Sequence, residues 1–267
     1  MMKEIEITKI NFLTRKVELK TDLVAEERPL HIFVNNEHYV TILCSPDQLK
    51  ELAVGHLLSE GVLKSLDEIK DVRLDDDGKF HFKLRDDIDF GKRILASNPF
   101  SRIILSSCGS SSNYWPITSI IDRIYLPRNQ DNATVDSRII LESIRHLNEV
   151  AKLFRSTGGV HVAALYSFNG ELLALAEDVG RHNAVDKIVG AAAGKGLSLD
   201  ECFLTSSGRL SGDIVLKTAR LRIPVVASMS AALSSGVDVA KLAGITLIAF
   251  VRGTRMNILT HPERIRV

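Results

Sequence analysis

Beyond Thr134 the chain alternates between helix-period and strand-period segments, which leaves few architectures open. SRIILESIRHLNEVAKLF sets Ile140, Ile144, Leu147, Ala151 and Phe154 on one stripe, predicting an amphipathic helix. VHVAALYSF and ELLALAE follow as strands joined through Asn169-Gly170, a hairpin turn pair. The order then runs helix HNAVDKIVGAAAGKG, strand CFLTS, helix GDIVLKTARL, strand PVVAS, helix SSGVDVAKLAG, strand TLIAFV. Strands separated by helices of this length pair in parallel through crossovers, so this half reads as a three-layer α/β domain.

The first half reads as β-rich with one good helix. RPLHIFVNNEHYVTILC predicts two strands around Asn35-Asn36, and EIKDVRLDDDGKFHFKLR predicts a hairpin turning at Asp77-Gly78. Between them, SPDQLKELAVGHLLSEG has the form of a capping box, with Ser45 at N-cap, Pro46 at N1, Gln48 at N3 and Gly61 as the stop. RIILSS is expected as a strand that delivers Cys108 into the loop SSCGSSSNYW. The expected organisation is a smaller β-rich α+β N-terminal domain, 1–133, ending in the cysteine loop, and an α/β domain, 134–267.

Bulk properties exclude several function classes. The 34 Lys+Arg against 33 Asp+Glu leave a net charge of +1, so no global field steers the chain to nucleic acid or a membrane. The N-terminus, MMKEIEITKI, is charged and alternating rather than signal-like, and ITLIAFV is far too short to span a bilayer. A cytoplasmic location is expected, where thiols stay reduced. The 3 cysteines, Cys44, Cys108 and Cys202, are odd in number and lack metal-ligand spacing, so neither a disulfide framework nor a metal site is expected.

Four places carry residues suited to chemistry. Cys108 stands among glycine and serines with no bulk around its sulfur, whereas Cys44 and Cys202 sit in apolar strand contexts that suit packing. AEDVGRHNAVDK concentrates Glu177, Asp178, Arg181 and His182 between a strand and a helix, more charge than a turn needs. LTSSGRLSG and ASMSAALSSG each end a strand in small hydroxyl-bearing residues, and the first brings Ser207 and Arg209 to the carboxyl end of a sheet, where anions are bound. AFVRGTRMN flanks Gly253-Thr254 with Arg252 and Arg255, a pairing that suits a diphosphate. His161 lacks the H-x-E and P-C-x-x-C companions of a zinc deaminase, which weakens any metal-dependent hydrolase reading.

Taken in order, ELAVGHLLSEG, TGGVHVAAL, AEDVGRHNAVDKIVG, SSGRLSGDIVLK and TLIAFVRGTRMNI resemble the formate dehydrogenase accessory sulfurtransferase family (FdhD), from about Pro29 to the end. The resemblance implies a C-terminal domain of cytidine-deaminase-like fold without zinc, and a homodimer. It implies that persulfide sulfur passes from a cysteine desulfurase to the molybdenum of bis(molybdopterin guanine dinucleotide), which then serves formate dehydrogenase. The persulfide-carrying cysteine of similar proteins falls on Cys108. The cofactor-binding segment falls on Phe250, Val251, Arg252, Gly253, Thr254 and Arg255, with Arg181, His182, Ser207 and Arg209 as further candidates. Many relatives carry C-x-x-C in the loop, whereas Cys108-Gly109-Ser110-Ser111 keeps the first thiol alone. That departure keeps a second reading open, a non-catalytic chaperone that shelters the molybdenum cofactor. A nucleotide hydrolase built on the His182 cluster lacks a nucleophile and ranks last.

Overall fold

A computed structural model describes residues 1–97 and 134–267; the strand expected at RIILSS, the Cys108 loop and the expected domain boundary at 133 lie outside the described residues. The chain opens with β1 (Met2–Asn11) and β2 (Lys16–Ala25), an antiparallel ribbon that pairs with no other strand among the described residues. Next come β3 (Arg28–Val34), β4 (Glu37–Cys44), α1 (Leu49–Ser59), β5 (Ile69–Leu74), β6 (Lys79–Leu84) and α2 (Phe90–Ser97). The strands β3 to β6 form one sheet in the order β4-β3-β6-β5. Both hairpins turn where the sequence puts them. Asn35 and Asn36 take φ of 50° and 70°, the left-handed pair that a two-residue turn needs, and Gly78 takes 78°.

After the undescribed segment come β7 (Val135–Asp136), α3 (Ser137–Val150), α4 (Lys152–Thr157), β8 (His161–Ser167), β9 (Leu172–Asp178) and α5 (Arg181–Gly194). The chain continues with β10 (Cys202–Ser206), α6 (Gly212–Arg220), β11 (Val225–Ser228), α7 (Ser234–Ala243), β12 (Thr246–Arg252), β13 (Arg255–Ile258) and β14 (Ile265–Arg266), the last paired with β7. A six-stranded sheet runs β13-β12-β11-β10-β8-β9, with β10, β11 and β12 parallel and the outer pairs antiparallel. Strand alternation splits its side chains between two layers. Val162, Ala164 and Tyr166 pack with Ile140, Ile144 and Leu147 of α3, while Ala163 and Leu165 pack with Val185, Ile188 and Val189 of α5. The fold is mixed α/β with helices on both faces of the sheet.

The N-terminal sheet and α1 lie against the outer side of α5. The two helices cross backbone to backbone: a Cβ on Gly55 would stand 1.7 Å from the Asp186 carbonyl oxygen, and one on Gly190 would stand 2.0 Å from that of Glu51. Leu30, Ile32, Leu52, Leu57 and Phe82 consequently share one apolar cluster with Val185, Ile188 and Leu204.

Two local expectations are corrected. Ser45 does not cap α1, which starts at Leu49 behind a left-handed Gln48 (φ 47°) with no side-chain cap. The Ser45 amide instead donates to Asp178 Oδ2 at 3.0 Å, and its hydroxyl accepts from the Val179 N–H at 3.2 Å. A buried carboxylate in the other half of the chain outcompetes the local cap. The helix expected from Ser137 to Phe154 breaks at Ala151 (ψ 85°). There the Glu177 carboxylate accepts from the amides of Leu153 (3.1 Å) and Phe154 (2.6 Å), satisfying the free donors of a new helix start.

Candidate functional site

The carboxyl ends of β10, β11 and β12 open on the same end of the sheet as the start of β8, as the parallel and antiparallel registers require. Hydroxyls tie these strand tips together. Ser228 Oγ lies 2.9 Å from the Ser206 carbonyl and 2.7 Å from that of Gly208, and the Phe250 amide donates to the Ser230 carbonyl at 3.0 Å. The serines that read as capping or anion-binding residues thus serve largely to hold three strand tips in one edge.

The string EDVGRHNAVDK divides between architecture and site. Glu177 starts α4, as above. Asp178 is fully buried; it pairs with Lys187 Nζ at 2.8 Å and accepts from the amides of Ser45 and Gly180. Asn183 donates to the Leu43 carbonyl and to Asp178, both at 2.8 Å. Lys187, fully buried, also reaches Asp47 at 2.8 Å, and Asp186 pairs with Lys217 of α6 at 2.7 Å. These residues clamp the N-terminal sheet and α1 onto the sheet domain. Arg181 and His182 remain, both half-buried at the first turn of α5.

Arg181 and His182 converge on Asp213, an acid in the first turn of α6. His182 Nε2 lies 2.8 Å from Asp213 Oδ2, Arg181 Nη2 lies 4.0 Å from the same oxygen, and the Ser211 hydroxyl donates to Oδ1. Burial pushes the Asp213 carboxyl upward, but His182, Ser211 and Arg181 outweigh it and hold it well below the usual carboxylate range. Arg181 crosses directly over Gly208, where a Cβ would stand 2.9 Å from Arg181 Cβ. Its Nε is buried and has no hydrogen-bond partner among the described residues, an orphan donor beside the strand tips. His161, at the start of β8, faces Ser207 Oγ at 3.3 Å, and the Val162 amide donates to the same oxygen at 3.0 Å. Burial, then the charges of Arg181, His182 and Arg209, lower the pKa of His161, which keeps its imidazole neutral at pH 7. Arg209 is exposed and has no ion-pair partner among the described residues. Asp213 was missed in the sequence, although an acid opening a helix behind a serine-rich tip was visible there.

The arginine pair occupies a hairpin rather than a strand terminus. β12 and β13 are antiparallel, Gly253 turns at φ 59°, and Arg252 sits opposite Arg255. Phe250 takes φ of 52°, strained for a side chain of its size, at a bulge between Ala249 and Arg252. Phe250 is exposed, and the Val251 side chain is buried in the core, so Val251 can offer a ligand its backbone alone. The Arg252 guanidinium lies 5.8 Å from the Phe250 ring centroid and donates through Nε to the Met229 carbonyl at 2.8 Å. Thr254 and Arg255 are exposed, and Arg255 has no ion-pair partner among the described residues. Four guanidinium groups therefore stand on this end of the sheet, one of them partly balanced by Asp213. The donors present suit phosphate oxygens.

Two of the chain's three thiols are placed. Cys44 is fully buried against the Arg28 carbonyl at 3.6 Å, and burial, then the Asp178 charge, push its pKa up to about 12. Cys202 is buried against the Ser198 carbonyl at 3.3 Å, with its pKa pushed by burial up to about 11. Neither reaches the thiolate state at neutral pH. Cys108 lies outside the described residues.

Fold and site together define a mixed α/β protein whose strand ends carry an arginine- and histidine-rich polar edge. The chain belongs to the FdhD/NarQ family, whose model matches residues 25–266. It is 38% identical over 252 residues to a protein of Bacillus pumilus named sulfur carrier protein FdhD, covering 92% of this chain and 91% of the relative. A protein of the same name from Sulfolobus acidocaldarius is 37% identical over 245 residues, covering 91% of each. In three dimensions the chain is similar to a crystal structure from Desulfotalea psychrophila, assigned as a formate dehydrogenase accessory protein. That match has a TM-score of 0.78 and 27% identity and covers 99% of each chain.

Proposed function

We propose that the protein is a sulfur carrier that accepts sulfur from a cysteine desulfurase on Cys108 and passes it to the molybdenum of bis(molybdopterin guanine dinucleotide) for a formate dehydrogenase. The observation that carries this reading is the state of the other thiols. Cys44 and Cys202 are buried and held protonated, which leaves Cys108 to do any sulfur chemistry. Family membership and the relatives named sulfur carrier protein support the same assignment.

The loading step is thiol exchange. The Cys108 thiolate attacks the outer sulfur of the donor's persulfide, the donor S–S bond breaks, and the donor cysteine leaves as thiolate. Electrons balance without an outside oxidant, and one thiol is enough to hold the product. The dinucleotide arms of the cargo carry diphosphates. Arg209, Arg252 and Arg255 can meet their oxygens from an exposed edge, with Arg181 offering its unused Nε from beneath and the neutral His161 imidazole a further hydrogen-bonding group. The test is to incubate the protein with a cysteine desulfurase and L-cysteine and take an intact mass. One added sulfur in the parent and none in Cys108→Ala is expected. An unchanged parent mass overturns the carrier role and leaves cofactor sheltering as the reading.

A further inference from the structure

We infer that His31 and His38 form a divalent-metal chelate on the solvent face of the N-terminal sheet, suited to a late first-row cation such as Ni²⁺, Cu²⁺ or Zn²⁺. Two imidazole nitrogens already aim at one point. His31 Nδ1 and His38 Nε2 each lie 2.9 Å from the Thr41 hydroxyl oxygen, with His31 on β3 and the other two residues on β4. The site shares no residue with the strand-tip edge of the larger sheet, and the spacing of the cysteines gives no hint of it.

A β-bulge builds the site. Tyr39 and Val40 separate His38 from Thr41, a spacing that in a regular strand sends the two side chains to opposite faces. The β3–β4 register shifts between Ile32 and Phe33: Ile32 pairs with Val40 and Phe33 with His38, so Tyr39 is the extra residue. Tyr39 and Val40 both turn toward the core, Tyr39 against the rings of His56 and Phe90. That brings His38 to the face that carries Thr41 and the residue paired with it, His31. Phe33, on the same face, meets the His38 ring edge-on at 5.3 Å and is itself backed by the His81 ring, stacked at 4.8 Å. The His38 ring is thus seated before any ligand arrives.

The chemistry fits a cation that favours imidazole. The Thr41 hydroxyl can donate to one ring nitrogen while it accepts from the other, so one imidazole turns a lone pair to the shared point. The other ring needs only a change of tautomer. Neither outer nitrogen, His31 Nε2 or His38 Nδ1, has a hydrogen-bond partner among the described residues to oppose that change. Thr41 is exposed, so rotation of its side chain takes the hydroxyl off the point. Metal–nitrogen bonds of about 2.0–2.1 Å then ask each ring to close by roughly 0.9 Å, with His38 exposed and His31 half-buried. Among the described residues no three histidine, cysteine or acidic side chains gather for a metal, so water completes the shell. Two nitrogens without a carboxylate suit Ni²⁺, Cu²⁺ or Zn²⁺ and not Mg²⁺ or Ca²⁺, which take oxygen ligands.

The experiment is calorimetric titration of Ni²⁺ into the full chain and into single variants, with thermal unfolding as a second readout. The parent is expected to bind one Ni²⁺ per chain and to melt at a higher temperature with the ion than without it. His31→Ala and His38→Ala each remove one arm of the chelate. Both should melt close to the parent in metal-free buffer, bind Ni²⁺ at least about a hundredfold more weakly, and lose the shift in melting. Thr41→Val, which removes only the competing hydroxyl, should bind as the parent does, and so should His261→Ala and Cys108→Ala. A parent that binds no Ni²⁺, or binding unchanged in both His31→Ala and His38→Ala, overturns the proposal. Loss of binding in Cys108→Ala places the ion on the thiol and overturns it as well. Persulfide loading should be the same in His38→Ala as in the parent, so the sulfur-carrier reading stands apart from this result.

Discussion

Lys217 sits 5% exposed between Asp186 (2.7 Å), Glu60 (3.0 Å) and the Ser59 hydroxyl (3.2 Å), while His56 shares Asp186 at 3.0 Å. Burial works against each charge. Lys217 and His56 nevertheless hold the Asp186 carboxyl below its usual range, and Asp186 and Glu60 hold the Lys217 amine above its own. The depressed acid contributes stability that is present above an unfolded pKa of about 3.9 and is lost as pH falls through the lower folded value. The raised amine contributes stability that is present below about 10.4 and is lost as pH rises through the higher folded value. Denaturant titrations should find this pair's contribution flat between about pH 5 and 9. Asp186→Asn should cost about 3–5 kcal/mol, because it leaves a buried ammonium short of its main partner, and should flatten the acid limb. The thiols give a second expectation. Iodoacetamide at neutral pH should label Cys108 in the native protein, and Cys44 and Cys202 only after unfolding. Cys44→Ala and Cys202→Ala should each lose about 1 kcal/mol of stability with sulfur transfer retained, whereas Cys108→Ala should keep its melting temperature and lose transfer.

At the scale of elements, the crossing of α1 and α5 decides how the two halves of the chain meet. Gly55 and Gly190 permit backbone contact there, and the charged pair of Asp186 and Lys217 lies at the same crossing. A methyl group 1.7 Å from a carbonyl oxygen cannot be relieved by a side-chain rotamer, since the obstacle is backbone. Gly55→Ala should therefore lower stability by about 3 kcal/mol, the upper end of overpacking costs, as read from the shift in thermal unfolding. At Gly208 the obstacle is the Arg181 side chain, which can move. Gly208→Ala should be milder in stability but should displace Arg181 from the strand tips.

The whole molecule gathers onto one end of a sheet residues that are remote in sequence: His161, Arg181, Ser207 and Arg209, and the hairpin from Phe250 to Arg255. Guanosine diphosphate is the simplest fragment of the proposed cargo with which to test that edge. Calorimetric titration should show binding that weakens with salt, with Arg252→Ala and Arg255→Ala each costing about 1.5–3 kcal/mol. Unchanged affinity in both would move the diphosphate site away from the hairpin. No helix among the described residues is long and apolar enough to cross a membrane.

The hairpin turns and the helix–strand order were determined by the sequence itself, because their causes are local. Asn35-Asn36 supply the left-handed pair of a two-residue turn, Gly78 and Gly170 each supply one left-handed residue to a longer turn, and the stripe of Ile140, Ile144 and Leu147 marks α3 without help from elsewhere. The family was legible for a similar reason, in the long string from Glu177 to Lys187. What that string does was decided by tertiary contacts. Ser45 looked like a helix cap until Asp178, 133 residues away, claimed its amide. Glu177 broke a helix that its own periodicity continued, and a bulge at Phe250 turned Val251 into the core. A polar side chain binds the best partner it meets in the folded molecule. When that partner is brought by another element, local pattern identifies the residue as special without revealing whether it serves the site or the scaffold.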